Sequence, residues 1–439
     1  ARVDRFVVFV RGGVPGDRLR VRAVRKKKDY AEARVLEVLR PSPDRVTPPC
    51  PYAGTCGGCT WQHVAYDRQL AYKRSHVVEA VERIGGLQGV PVHETLPSER
   101  VFGYRNKMEF SFSDRRWLLP EEMDDPAAEQ GFALGLHVPG TFNKIIDVEA
   151  CLLQAPKGND ILGEVKAFAR ESGLPAYGIK THQGFWRFLT LRHAVFEDRW
   201  MVNLVTAEHR PEVMERLSQS LMARFPEIRT VINSINTRRA AIAVGEREHV
   251  HAGDGVIEDR IGPYRFRISA GSFFQTNTRG AETLYCTVTD YARLSRGETV
   301  LDLYSGTGTI AIFLSPQAGQ VIGAELIGDA VEDARQNCAE NGVSNCRFIA
   351  GDLRETLSDL DRRADVLVID PPRAGMHKDV LAGVLERACE RVVYVSCNPA
   401  TLARDLGVLS EAYRVEEIQP VDLFPHTYHV EAVARLEKK

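Results

Sequence analysis

Five short apolar runs recur between residues 300 and 395: Val300-Leu301-Asp302-Leu303, Val321-Ile322-Gly323-Ala324, Cys346-Arg347-Phe348-Ile349, Val366-Leu367-Val368-Ile369 and Val392-Val393-Tyr394-Val395. Helical stretches separate most of them. Strands that are apolar on both sides need cover on both faces, so this rhythm predicts a mostly parallel, doubly wound α/β sheet. Three of the runs end in chemistry. Ser305-Gly306-Thr307-Gly308-Thr309 follows the first, Asp370-Pro371-Pro372-Arg373 the fourth and Ser396-Cys397-Asn398-Pro399 the fifth. Ligands bind at the C-terminal ends of strands in such a sheet. A thiol at that edge, Cys397, reads as a nucleophile, and the chain as one that does covalent chemistry.

The glycine loop narrows the ligand. Gly306-Thr307-Gly308-Thr309-Ile310-Ala311 has the form G-x-G-x-x-A between a strand and a helix. Its glycines permit a tight turn and let a ligand approach the backbone. Glu325 ends the next strand about twenty residues on, where an acid binds ribose hydroxyls. NAD and S-adenosylmethionine sites share both features. Asp302 precedes the loop, where methyltransferases receive the amino-acid end of their cofactor. Asp352 follows the next strand and is placed to bond an adenine amino group. Asp370-Pro371-Pro372 adds a rigid acidic turn beside the reactive centre. No residue offers a partner for nicotinamide chemistry, so S-adenosylmethionine is the expected cofactor.

The rest of the chain is organised differently. At 439 residues it has room for about three domains. Residues 1–40 hold twelve Lys and Arg against five Asp and Glu, although the whole chain carries a net charge of −2. That excess, centred on Arg25-Lys26-Lys27-Lys28, suits a polyanion-binding appendage. Runs at 5–10, 18–24 and 33–39 alternate as strands do, with a turn at Gly12-Gly13-Val14-Pro15-Gly16. The abrupt start implies that an edge of this unit is missing. Pro41, Pro43, Pro48 and Pro49 form a stiff linker, and a helix is expected over 66–84. Residues 98–270 mix β-like runs at 107–112 and 186–191 with helical patterns at 158–171 and 211–224. The final strands are expected at 415–418 and 430–434. No apolar stretch of about 18 residues and no signal-peptide core occur, so a soluble, cytoplasmic protein without a membrane partner is expected.

Nine cysteines in a chain of this size without an export signal argue against a disulfide framework. Cys286, Cys338, Cys346 and Cys389 are scattered and read as ordinary buried or half-buried residues. Cys50, Cys56 and Cys59 cluster, and with a distant fourth cysteine they suit zinc or an iron–sulfur cluster. The spacing is unlike ordinary zinc fingers, and Gly57-Gly58 leaves room for a bulky group. Pro51 and Trp61 are expected to shield it.

Asp370-Pro371-Pro372-Arg373-Ala374-Gly375, Val395-Ser396-Cys397-Asn398-Pro399 and His426-Thr427-Tyr428-His429-Val430-Glu431 stand in the order found in the RNA 5-methyluridine methyltransferase family. Gly271-Ser272-Phe273-Phe274-Gln275-Thr276-Asn277 is similar to another segment of that family. Cys50-x5-Cys56-x2-Cys59 with Cys151 resembles its iron–sulfur branch, the 23S rRNA uridine enzymes, and residues 1–40 resemble a TRAM domain, a small RNA-binding β-barrel. The resemblance covers nearly the whole chain. It implies a class I methyltransferase (Rossmann-like) domain at 271–439, a central α/β domain with a [4Fe–4S] segment at 43–270, and a TRAM-like barrel at 1–42.

It also implies site residues. C5 of uracil is too weak a nucleophile to take a methyl group from a sulfonium until a thiolate adds at C6. Cys397 would be that thiolate, and Glu431 the base that removes the C5 proton before the sulfur leaves. Gln275, Tyr304, Glu325 and Asp370 match the family's cofactor pocket, with Thr309 and Asp352 as further candidates; Cys50, Cys56, Cys59 and Cys151 would hold the cluster. Arg105, Asn106 and Lys107 resemble a segment near the substrate groove; Phe185 and Trp186 are aromatic candidates for stacking on bases, although aromatics in strands are more often core. The target base must leave its stack to reach Cys397. The expected substrate is a uridine of 23S rRNA, acted on by a monomer. The rivals are a tRNA T-loop uridine and a non-catalytic RNA-binding iron–sulfur protein. A cytosine C5 enzyme usually shows two cysteine motifs, and an adenine N6 enzyme would leave Cys397 and Glu431 without roles.

Overall fold

The computed structural model describes every residue except 5, 358, 359 and 361–363. Arg5, where the first expected strand begins, therefore lies outside the described residues. β1 (Arg2–Val3), β2 (Phe6–Arg11), β3 (Arg18–Lys26) and β4 (Tyr30–Arg40) form a sheet in the order β1-β2-β4-β3, with β2 and β4 parallel. Asp17 ties its turn to the proline linker by accepting from Val14 N (2.7 Å), Ser42 N (2.8 Å) and Arg45 Nε (3.1 Å). The Arg45 guanidinium holds its carboxyl down at about 2.

The linker and the cysteine loop lead into α1 (Tyr66–Arg83). The central part is built on β5 (Lys107–Ser113), β6 (Ala133–His137), β7 (Ile145–Asp147), α2 (Pro156–Glu171), β8 (Trp186–Ala194), β9 (Arg199–Thr206), α3 (Pro211–Arg224), β10 (Ile228–Ile235) and β11 (Arg247–Ala252). Its seven strands run in the order β11-β10-β9-β8-β5-β6-β7. Only β9 and β10, joined through α3, are parallel; two-residue hairpins cannot make that connection, so a crossover helix does. Ile161, Leu162, Met214 and Leu217 of the two helices pack on Phe110, Leu189 and Leu204 of the sheet. Phe185 and Trp186 are 2% and 0% exposed inside this core, so they do not stack on bases. Trp186 opens β8 and Phe185 immediately precedes it, and both pack in this core, where large aromatics bury the most area.

The last part opens with the hairpin β12 (Val256–Ile261) and β13 (Tyr264–Ser269), followed by α4 (Thr278–Ala292). Then come β14 (Thr299–Leu303), α5 (Thr309–Leu314), β15 (Gln320–Glu325), α6 (Gly328–Glu340), β16 (Cys346–Ala350), α7 (Leu353–Thr356), β17 (Val366–Ile369), α8 (Lys378–Arg387), β18 (Arg391–Ser396), α9 (Pro399–Leu409), β19 (Tyr413–Val421) and β20 (Glu431–Lys438). The sheet order is β16-β15-β14-β17-β18-β20-β19, parallel except that β20 runs against both neighbours. This is the expected doubly wound sheet. Val300, Val366 and Val393 face one core with the hairpin, α4 and α5, whereas Leu301, Leu367 and Val392 face another with α1, α8 and α9. Among the described residues, no helix is long and apolar enough to cross a membrane.

α1 also carries a buried ion pair. Lys73 Nζ lies 2.5 Å from Asp422 Oδ1, both side chains being fully buried, and donates to Phe424 O at 3.0 Å. Tyr66 donates to the other Asp422 oxygen at 2.9 Å. Removing one partner of a buried pair strands the other charge, at about 3–5 kcal/mol. Lys73→Met is expected to lower unfolding free energy by about that much in urea titrations. A loss below about 1 kcal/mol would show that Asp422 finds another partner or takes up a proton.

Candidate active site

The order of the third sheet reverses between β14 and β17, and a cleft opens at the C-terminal ends there, as switch points dictate. Its volume is about 3200 Å³, and Gln275, Tyr304, Thr309, Glu325, Asp352, Asp370, Cys397 and Glu431 all line it. Residues from both ends of this part of the sequence, Gln275 and Glu431, thus meet in one place.

Strand pairing brings the two chemical groups together. Ser396 of β18 pairs with Ala432 of the antiparallel β20. One step further along each chain stand Cys397 and Glu431. Burial pushes Glu431 up to about 8, helped by the Asp370 charge and opposed by Arg373. Enclosure alone pushes Asp370 up to about 7. The Cys397 thiol rises to about 11, chiefly by burial and then through Glu431, while Arg373 favours the thiolate. Two carboxyls poised near neutrality beside a protonated thiol form an acid–base site.

The glycine loop is a backbone cradle. Tyr304, Gly306 and Gly308 all have left-handed backbone, with φ of 63°, 52° and 78°. A Cβ at Gly308 would meet Phe348 at 2.8 Å and Ala334 at 2.9 Å, whereas one at Gly306 would meet nothing within 4 Å. Gly308 is therefore fixed by helix and strand packing, and Gly306 faces open space. Glu325 accepts from Gly306 N and Ile327 N, both at 3.0 Å, which pins the acid to the loop. Asp352 caps α7 through Arg354 N at 2.9 Å, and its pairing with the Arg354 side chain holds it down at about 2. Asp302 differs from expectation: it is fully buried and does not line the cleft. Burial raises its carboxyl well above the usual range, and neither oxygen has a hydrogen-bond partner among the described residues.

The Gln275 segment hangs from the central sheet. Asn106 Nδ2 donates to Gln275 O at 2.7 Å, Asn106 N to Thr276 O at 2.9 Å, and Arg192 to Ser272 O at 2.5 Å. Asn106 is buried and serves this support rather than a substrate surface. Lys107 pairs with Glu109 at 2.7 Å, and Arg105 lines the cleft. Sequence reasoning assigned no role to Arg373 or His429, which line the same cleft. Arg373 Nη2 lies 3.0 Å from His429 Nδ1; burial and that guanidinium hold His429 down at about 4, so its neutral ring accepts the bond. Their presence in the quoted motifs was the available signal.

Cys50, Cys56, Cys59 and Cys151 line one separate cavity of about 50 Å³, together with Arg105, Met108, Leu136, Val148 and Leu153. Pro51 and Trp61 do not line it. Pro51 is exposed, and Trp61 packs on Tyr72 and His76. Gly57 also serves another purpose: it donates to His137 O at 2.9 Å, and a Cβ there would meet that oxygen. Burial pushes Cys56 up to about 11 and Cys59 to about 12, and raises Cys151 as well. Among the described residues, no three His, Cys, Asp or Glu side chains are grouped to hold a single metal ion.

The family model for tRNA (uracil-5-)-methyltransferase matches residues 207–439. A protein of Chlorobaculum tepidum named as an uncharacterized RNA methyltransferase is 44% identical over 434 residues, covering 97% of this chain and 90% of its own. The chain belongs to the tRNA (uracil-5-)-methyltransferase family. A second such RNA methyltransferase, from Porphyromonas gingivalis, is 40% identical over 99% of this chain and 96% of its own. The Pyrococcus abyssi tRNA (uracil-54, C5)-methyltransferase, solved with S-adenosyl-L-homocysteine, is 31% identical with a TM-score of 0.76, covering 97% of this chain and 95% of that one. The mixed α/β architecture is thus that of a known RNA methyltransferase, and this protein is an RNA methyltransferase of the uracil-5 family.

Proposed function

We propose that this methyltransferase methylates C5 of a uridine in 23S rRNA, with Cys397 adding to C6 and Glu431 removing the C5 proton. The meeting of Cys397, Glu431 and Asp370 at one cleft wall carries this reading. In it, Cys397 gives up its proton and bonds to C6, and the electron pair moves through the ring to C5. C5 would bond the methyl group as the methyl–sulfonium bond breaks and leaves its pair on the departing thioether, with Cys397 still attached at C6. Glu431 then takes the C5 proton, and the C6–sulfur bond breaks to release product. Arg373 stabilises the thiolate when it forms and when it returns. A cleft of about 3200 Å³ far exceeds an ordinary small-molecule pocket of about 300–1,000 Å³, which suits a flipped nucleotide with its flanking chain.

Gln275, Tyr304, Glu325 and Asp370 would hold S-adenosylmethionine, with Thr309 and Asp352 beside them; when bound, it supplies an electrophilic methyl group. The open space at Gly306 and the Asp370 carboxyl at the same cleft fit a cationic ligand there. Residues 1–42 would act as a TRAM-like RNA-binding unit, because Phe9, Arg11, Tyr30 and Arg34 line the same cleft. Residues 43–270 and 271–439 would be the central and methyltransferase domains.

The four cysteines would hold a [4Fe–4S] cluster. Four cysteines lining one small cavity support a set of thiolates meeting around a single group. The orphaned Arg105 Nε supplies a donor beside it. Iron and sulfide analysis of anaerobically purified protein is expected to give four of each per chain. Zinc in their place would overturn the assignment.

The function is tested by trapping on 5-fluorouridine-substituted RNA with labelled S-adenosylmethionine. Fluorine at C5 cannot leave as a proton, so a labelled covalent complex accumulates at Cys397. An adduct with rRNA fragments is expected. The likeness to the Pyrococcus abyssi tRNA enzyme favours a second reading, and an adduct with tRNA alone would move the substrate there. No adduct with either RNA would restore a non-catalytic RNA-binding role.

A further inference from the structure

The segment between Asp422 and Glu431 forms the cleft wall beside the base, through Phe424, Thr427, Tyr428 and His429. Sheet pairing fixes the backbone of Glu431. The wall that holds its side chain is fixed by another part of the chain. His426, 6% exposed, has a left-handed φ of 66°, a conformation that costs a non-glycine residue energy and persists only when surroundings impose it. Its carbonyl accepts from Thr60 N at 2.9 Å and Trp61 N at 2.8 Å, the two residues after Cys59. Its own N–H donates to Gln69 Oε1 at 2.8 Å.

Gln69 completes the junction. Fully buried on α1, its Nε2 lies 3.1 Å from Trp61 O, 2.9 Å from Val64 O and 3.2 Å from His426 Nδ1. The His426 ring stacks on Phe102 with centroids 4.3 Å apart. One amide therefore joins the exit of the cysteine loop to the wall around Glu431. Neither Gln69 nor His426 lines the cleft.

We propose that Gln69 and His426 are positioning residues for proton removal, and that the cysteine loop acts on that step through them. The proposal rests on Glu431 being the base. It predicts an asymmetry between the two halves of the reaction. Loosening the junction leaves addition of Cys397 and methyl transfer largely intact, but the base then sits away from C5. The methylated covalent complex should accumulate.

The test is a single-turnover reaction with unmodified RNA and labelled S-adenosylmethionine, read as covalent complex against free methylated RNA. Gln69→Met keeps a similar volume and cuts the junction without touching cysteine, cofactor or cleft residues. Its complex-to-product ratio is expected to rise about tenfold over wild type. Hydrogen exchange at Thr60, Trp61 and residues 424–431 should speed up together in the same variant. His426→Gly, which suits left-handed backbone, keeps the carbonyl bonds and removes the ring. It should raise the ratio in the same direction, and it decides the matter if Gln69→Met fails to fold. Parallel loss of complex and product, or unchanged exchange at Thr60 and Trp61, would overturn the proposal. Glu431→Gln serves as the control. If that variant accumulates no complex, the base assignment itself is at fault; if it does and the junction variants do not, only the junction proposal fails.

Discussion

Cys397→Ala protein is expected to bind RNA and cofactor yet methylate at least about 10⁴-fold more slowly, because removing a covalent nucleophile removes the whole pathway. No neighbouring side chain replaces the thiol: Glu431 and Asp370 are carboxyls, and Arg373 is a cation. The enclosed Cys397 titrates near 11, so free protein holds mostly thiol near neutral pH. Wild-type complex formation should accordingly rise with pH across the accessible range. Methylation assays over several decades of enzyme concentration would measure the loss. A residual rate above about one hundredth of wild type would mean that C5 is activated without sulfur addition.

Glu431→Gln should separate the two halves of the reaction. Methyl transfer in the first turnover should survive, while steady-state turnover falls about 10²–10⁴-fold and methylated RNA stays attached to the protein. A base must be ionised to act. With Glu431 pushed up to about 8, release in the wild type should climb with pH below that value and level off above it. The glutamine variant should show no such rise. Quench experiments on the trapped complex at several pH values would check both points, and free product from the variant at the wild-type rate would remove Glu431 from the role.

The sheet that carries this chemistry was readable because fully buried parallel strands leave uninterrupted apolar runs, as in Val366–Ile369. The glycine loop was readable for a different reason: close backbone approach excludes side chains, as at Gly308. The central sheet was harder. β9 and β10 lie on either side of α3, but their apolar segments are interrupted by Thr and Asn, including Asn203, Thr230 and Asn233, whose bonding only the fold reveals. Trp186 has the same local pattern whether it faces the core or a ligand, and the core position, the commoner one for an aromatic in a strand, is the one found.

The candidate site divides in the same way. Cys397, Asp370 and Glu325 stand at strand ends, a position that sequence order reports. Glu431 needed the family resemblance, since nothing local tells that β20 reverses direction. Asp302 was misplaced because strand position does not reveal which face a side chain occupies. The junction at His426 was invisible, because its partners Thr60, Trp61 and Gln69 lie more than 350 residues earlier and bond mainly through backbone atoms.

The reversal of β20 has a consequence for how this enzyme can change. In an all-parallel sheet, the first residue of a strand lies at the far edge from the last residues of its neighbours. Because β20 points the other way, its opening residue shares the active edge with Cys397. Shifting the pairing by one residue would turn Glu431 to the opposite face and carry every buried side chain of β20 with it. The loop before β20 can vary in length without that penalty, but a lost residue within the strand would displace both Glu431 and the core that β20 anchors.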